Sequence, residues 1–181
     1  MPRSKGKQKG SAFERKVCKA LSLWVSSGER EDLFWRSAMS GGRATVGRKS
    51  GKDHARHAGD ISATSIEGHA LTDVWYVECK AYRNLQIDSA LTKGVGKLIK
   101  FWDEAVAQAD HYNKVPMLIA KQNQVPVLVL MPMAATWSNS GYEHFAKARV
   151  GTFYDLGCDV FDFERLLKVR FPYGKRRRER L

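Results

Sequence analysis

Asp73-Val-Trp-Tyr-Val-Glu-Cys-Lys80 reads as a strand that ends on a charged pair. Side chains alternate along a strand, so Glu78 and Lys80 emerge on one face while Cys79 points to the other. A carboxylate and an ammonium are thereby held side by side at a strand end. A carboxylate can hold a hard metal ion, and a lysine beside it can position or deprotonate a water. An ordinary ion pair on one face accounts for Glu-x-Lys equally well, so the pair needs companions before it means chemistry.

Gly59-Asp60 opens the segment Asp60-Ile-Ser-Ala-Thr-Ser65, a short strand entering a turn at Ile66-Glu-Gly-His69. A hairpin formed with the Glu78 strand would pool two carboxylates at one point. Gly59 would leave room for a ligand or another backbone. Asp60 also suits a plain turn. Upstream, Gly10-Ser-Ala-Phe-Glu14 has the spacing of a capping box, with Ser11 as N-cap of a helix over 11–27. Yet Glu14 also lies beside the apolar stripe Phe13, Val17, Ala20 and Trp24, on the edge of the buried face, where a carboxylate needs a partner. Downstream, Gln108 and Tyr112 lie four apart in Gln108-Ala-Asp-His-Tyr112 and share one helix face. An amide there can hold a lysine, a water or a phosphate. A tyrosine can meet a phosphate or a base, and a plain helix surface explains the two as well.

The ordered set Gly-x-x-x-Glu, Gly-Asp, Glu-x-Lys and Gln-x-x-x-Tyr resembles the PD-(D/E)XK nuclease superfamily, with its restriction-endonuclease-like fold. The last element resembles the nuclease domains of bacterial helicase-nuclease complexes. The short chain and its N-terminal glutamate helix are more similar to archaeal and phage Holliday junction resolvases. The likeness runs from about Gly10 to Met131. One residue departs from the pattern: Gly59 stands where the family's eponymous proline would be, which leaves the role of the aspartate untouched.

The resemblance implies an α/β fold with an αβββαβ core and a mixed central sheet. It also implies a metal-dependent DNA endonuclease, structure-selective in the manner of the resolvases, with two rivals. Asp60 and Glu78 would bind one or two magnesium ions, with manganese able to substitute. The Cys79 backbone carbonyl would add an oxygen ligand, and Glu14 would complete the cluster directly or through water. Lys80 would orient and activate the attacking water, with Gln108 as a further catalytic residue beside Glu14, Asp60 and Glu78. Branched DNA is the expected substrate, and a two-fold dimer matches its two equivalent strands. A helicase-nuclease type of exonuclease is the enzymatic rival; it would digest DNA from ends. A non-catalytic nucleic-acid-binding protein is the rival from another class, and metal-dependent cleavage separates it at once.

Charge points to the same partner. The 181 residues carry a net charge of +12 and a pI near 9.8, at an ordinary 43% hydrophobic content. Residues 1–10 contribute +4, as do residues 42–57 and residues 175–181, so the rest of the chain is neutral. A neutral core with three basic appendages suits a polyanion. The expected DNA contacts are Arg43, Arg48, Lys49, Lys52 and Arg56 in the central loop, Tyr112, and Arg176, Arg177 and Arg178 in the tail. No apolar run reaches about 18 residues, which argues against a membrane span. A charged helix where a signal peptide would need an apolar stretch, with three scattered cysteines, suggests a reduced, cytoplasmic setting and a phage or prokaryotic source.

The organisation expected is a basic arm over 1–10, a nuclease core over 11–131, an extension over 132–174 packing on the core, and a basic tail over 175–181. Within the core, a strand at Leu33-Phe-Trp-Arg-Ser37 precedes the Gly-rich basic loop, residues 85–113 are mainly helical, and Met117-Leu-Ile-Ala120 and residues 125–131 are strands. Beyond Pro132, residues 142–150 and 161–170 read as amphipathic pieces.

Overall fold

The computed structural model describes residues 5–37, 58–137 and 145–172. The basic loop with Arg43, Arg48, Lys49, Lys52 and Arg56, and the tail with Arg176, Arg177 and Arg178, lie outside them.

Helix α1 (Lys5–Val25) buries Phe13, Val17, Cys18, Leu21, Trp24 and Val25, the stripe that helical spacing aligns. It begins six residues before Ser11, so Ser11 is not its N-cap and Glu14 is interior to the helix rather than in its first turn. The capping-box account of Glu14 therefore falls. Ser22, fully buried, donates to the Cys18 carbonyl and accepts the Phe34 N–H, which pins the next strand to the helix.

That strand, β1 (Phe34–Arg36), pairs antiparallel with β2 (Ile61–Ala63). A turn of 3-10 helix (Ile66–Gly68) and the short helix α2 (His69–Thr72) then lead to β3 (Trp75–Tyr82). The expected hairpin between the Asp60 and Glu78 strands does not form. Residues 66–72 are helical, and β2 takes β1 as its partner instead. The two segments still meet at one point, because the Asp60 N–H donates to the Val77 carbonyl at 2.9 Å and the Ser37 N–H donates to the Asp60 carbonyl at 2.8 Å.

From β3 the chain crosses over through α3 (Ile87–Lys93) and α4 (Lys97–His111) to β4 (Val115–Gln122), which runs parallel to β3 in continuous register from Trp75–Val115 to Tyr82–Gln122. The mainly helical region expected over 85–113 is divided into two helices. Gly94 and Gly96 take φ of +65° and +130°, which ends α3 and restarts the chain as α4. Leu98, Trp102, Ala105 and Ala109 of α4 are buried, whereas Leu91 and Val95 before it, and Val106 beside its buried face, are exposed.

Strand β5 (Leu128–Pro132) pairs antiparallel with β4 and leads into α5 (Met133–Trp137). Two further strands, β6 (Arg149–Phe153) and β7 (Cys158–Asp162), precede α6 (Phe163–Lys168). The main sheet has the order β3-β4-β5-β7-β6. Residues beyond 132 thus extend the central sheet itself. The sequence hides these strands because β7 is buried along most of its length and shows no polar alternation. Asp159 interrupts it, satisfied by the Thr152 hydroxyl at 2.6 Å and by Arg149 at 3.5 Å.

Side-chain alternation sorts the core into two layers. Val77, Cys79, Met117, Ile119, Val129 and Met131 face α1 and α6. Leu118, Ala120 and Leu130 face the opposite side with Leu98 and Trp102 of α4. The result is an α/β fold with a mixed five-stranded sheet, in agreement with a restriction-endonuclease-like core.

Gly59 is the tightest point of this frame. Its φ is +87°, and a Cβ there would stand 2.6 Å from the Val77 carbonyl oxygen. Proline, locked near φ of about −65°, cannot adopt this backbone, which explains the departure from the family pattern. Gly59→Ala should cost at least about 2 kcal/mol, from the left-handed backbone and the backbone collision together. Denaturant unfolding checks this; a loss below about 0.5 kcal/mol, the scale of ordinary surface substitutions, would refute it.

Candidate active site

Five elements, α1, β1, β2, β3 and α4, meet where β3 passes the β1–β2 pair. Asp60 precedes β2 and is 8% exposed. Its Oδ2 accepts the Cys79 N–H at 2.8 Å, so the carboxylate is aimed by the backbone of the strand that carries Glu78. Cys79 contributes its amide here, while its thiol is buried and pushed well above its ordinary pKa by that burial.

Glu78 and Lys80 share a face of β3, and Lys80 Nζ lies 2.6 Å from Glu78 Oε1. The Tyr76 hydroxyl donates to Glu78 Oε2 at 3.2 Å. Three alternate residues of one strand thus form a row, and each oxygen of Glu78 has its own donor. Helix α4 brackets the row. The Phe101 ring centroid lies 5.1 Å from Lys80 Nζ, and Tyr112, in the C-cap position of α4, stacks on Tyr76 with centroids 6.1 Å apart and planes 9° from parallel. Tyr112 therefore reaches the site through Tyr76. Gln108 is exposed one turn before it.

Glu14 projects from α1 and is ion-paired with Arg36 at the end of β1. Arg36, Tyr76 and Phe101 do not stand out in the sequence. Arg36 and Phe101 carry no local motif, and Tyr76 reads as a core residue inside the decisive strand. Its i, i+2 relation to Glu78 is the signal that could have found it.

The electrostatics single out Asp60. Burial first, then the negative charge of Glu78, push its pKa from 3.8 up to about 7; Glu14 adds to the rise, while the Cys79 amide and Lys80 oppose it. Lys80 behaves differently. Burial works against its charge, but the charge of Glu78 and their hydrogen bond outweigh this and hold its pKa above the ordinary value. Lys80 is therefore an ammonium, suited to hold and polarise rather than to remove a proton.

Residues 5–163 match the model of the family described as "Phage putative PDDEXK endonuclease". The chain belongs to this phage PDDEXK endonuclease family. No curated protein and no solved structure matches it. The family match runs past Met131 through β7 to the first residue of α6, beyond the reach of the resemblance seen in the motifs. Among the described residues no helix is long and apolar enough to cross a membrane.

The endonuclease's carboxylates suit a hard divalent cation. Among the described residues no group of three His, Cys, Asp or Glu side chains is placed to hold a metal ion. Magnesium does not require one: it uses one or two carboxylates and completes its octahedron with waters and substrate phosphate. Asp60 and Glu78 could serve as such a pair, since the negative charge of Glu78 helps to raise the pKa of Asp60 and a cation between them would relieve that repulsion.

The same shift makes stability pH-dependent. Between about pH 4 and 7 the folded endonuclease keeps a proton on Asp60 that the unfolded chain has released, so stability falls as pH rises through this window and stays low above it. Asp60→Asn removes the titration and retains an acceptor for the Cys79 N–H. In metal-free buffer it should raise the melting temperature at pH 8 by at least about 2 °C, and by less at pH 4. Parallel melting curves for the two proteins from pH 4 to 8 would contradict the buried, proton-hungry carboxyl.

Proposed function

We propose that the protein is a magnesium-dependent endonuclease selective for branched DNA, resembling Holliday junction resolvases. The observation that carries the chemistry is the joint placement of Asp60, Glu78 and Lys80, with Asp60 locked by the Cys79 amide. Asp60 and Glu78 would hold the cation, with the Cys79 carbonyl and Glu14, directly or through water, as further oxygens. Bound there, magnesium or manganese would polarise the scissile phosphate and lower the pKa of its water.

The protein's own groups supply the rest. Lys80, kept charged by Glu78, donates to the attacking water or a phosphate oxygen and offsets the negative charge that grows on phosphorus. Tyr76 and Lys80 fix both oxygens of Glu78, so its ligand geometry is set before substrate arrives. Arg36 neutralises Glu14 and limits the repulsion that three carboxylates would exert on a phosphate backbone. The water oxygen bonds to phosphorus as the bond to the leaving sugar oxygen breaks. Arg43, Arg48, Lys49, Lys52 and Arg56, with Arg176, Arg177 and Arg178, would contact phosphates, and a two-fold dimer would present two sites to a junction.

The placement of Tyr112 against Tyr76 favours a second reading, an exonuclease of the helicase-nuclease type. Incubating labelled four-way junction, fork, linear duplex and single strand with and without magnesium decides between them. Paired, metal-dependent cuts in the junction are expected. Progressive digestion of linear DNA from its ends would favour the exonuclease, and no cleavage with magnesium or manganese would refute both.

A further inference from the structure

The corner joining the end of β3 to α3 and α4 is strongly cationic. Residues 83–100 contribute +3, through Arg83, Lys93, Lys97 and Lys100 against Asp88, while the flanking stretches 58–82 and 101–113 contribute −3 each. The cations are thus gathered at one corner of an otherwise acidic stretch. All four are exposed. Among the described residues Arg83, Lys93 and Lys97 have no ion-pair partner, and Lys100 has Glu104 at 4.0 Å.

The corner is closed on itself and tied to β4, the strand beside β3. The Leu98 N–H donates to the Leu85 carbonyl at 3.0 Å, the Lys97 N–H to Gln86 Oε1 at 3.1 Å, and the Leu85 N–H to Gln122 Oε1 at 2.7 Å. Lys97 precedes Phe101 by one helical turn, so the two share a face of α4. Phe101 in turn lies 5.1 Å from Lys80 Nζ and 5.0 Å, between ring centroids, from Tyr82. A continuous surface therefore leads from Lys80 over Phe101 to Lys97. Helix stability does not explain Lys97 and Lys100, whereas Lys93, in the last turn of α3, does favour the dipole of that helix. Lys97 and Lys100 occupy the first turn of α4, which holds no acidic residue, and cations there oppose the helix dipole.

We infer that this corner is the docking surface for the DNA backbone next to the scissile phosphate, with Arg83, Lys93 and Lys97 as its phosphate contacts. The inference rests on the endonuclease reading above, and it assigns the substrate's path on the protein. The partner is a nucleic-acid backbone, because these cations are exposed, stand in a stretch flanked by acidic ones, and adjoin Lys80 through Phe101.

The test compares two triple variants that lose the same charge from opposite faces of the sheet. Arg83→Ala/Lys93→Ala/Lys97→Ala alters the corner; Arg165→Ala/Lys168→Ala/Arg170→Ala alters exposed cations on and just after α6. Binding to a fluorescent four-way junction and to a linear duplex is measured by anisotropy in EDTA at several salt concentrations. Unchanged melting temperatures confirm folding. The corner variant should bind both DNAs about 10- to 100-fold more weakly, with a salt slope shallower by about 2 to 3, and the α6 variant should change far less. Equal losses in the two variants, or none in the corner variant, would overturn the inference. Cleavage by the wild-type protein is read separately in magnesium. If it cuts no DNA while the corner still governs binding, the catalytic reading fails and the docking surface stands.

Discussion

Asp60→Asn and Glu78→Gln are each expected to lower magnesium-dependent DNA cleavage by at least about 10³-fold, while DNA binding persists or tightens. Both substitutions keep size and hydrogen-bonding atoms. Asp60→Asn retains an acceptor for the Cys79 N–H, and Glu78→Gln retains one for the Tyr76 hydroxyl or Lys80, so the backbone frame survives. What is removed is the negative charge that would hold the cation. A metal's stabilisation of the transition state amounts to several kcal/mol, and each step of about 1.36 kcal/mol is a factor of ten in rate. Binding moves the other way because a carboxylate facing a polyanion repels it. Cleavage within about tenfold of wild type in both variants would remove these residues from the metal site.

Lys80→Ala is expected to reduce cleavage by about 10²- to 10⁴-fold without weakening magnesium binding. The ammonium is held charged by Glu78 at 2.6 Å, so it opposes a cation at Glu78 rather than assisting it. Its removal takes away the donor that positions water and offsets developing charge, and it leaves Glu78 with the Tyr76 hydroxyl. Magnesium titration by calorimetry on the variant separates the two effects. Lost metal affinity would show that Lys80 acts by positioning Glu78, not by meeting the reacting phosphate. Lys80→Arg should recover little, since a guanidinium is longer, planar and differently hydrated.

Much of the candidate site is legible in the chain because its determinants are local. Alternation along residues 73–80 puts Glu78 and Lys80 on one face and Cys79 on the other, and the fold obeys it. The apolar stripe of residues 13–25 places Glu14 at the edge of a buried helix face, and there it lies. Asp60 does meet the Glu78 strand, although through a backbone contact to Val77 rather than a hairpin. Gln108 and Tyr112 illustrate the opposite case. Four-residue spacing sets them together, but the structure treats them differently: Tyr112 ends the helix where Tyr76 offers a ring to stack on, and Gln108 is exposed. The break at Gly94 and Gly96 is hidden for a similar reason: apolar spacing in this region tolerates a helical reading on either side, and the positive φ values appear only with the backbone.

The sequence by itself determined the α/β class, the face each residue of β3 presents, the buried side of α1 and the acidic and basic residue types available for phosphodiester chemistry. These follow from periods of about 2 and 3.6 residues and from side-chain chemistry, which need no knowledge of distant neighbours. Tertiary structure alone decided that β2 pairs with β1, that β6 and β7 complete the main sheet, that Arg36 partners Glu14 and that Tyr76 holds Glu78. It also decided the charge of Asp60, since a carboxyl's pKa is set by its burial and by the charges packed around it. Strand partners and ion pairs are chosen by which apolar faces must be covered together, a condition imposed by the whole core and written in no single segment.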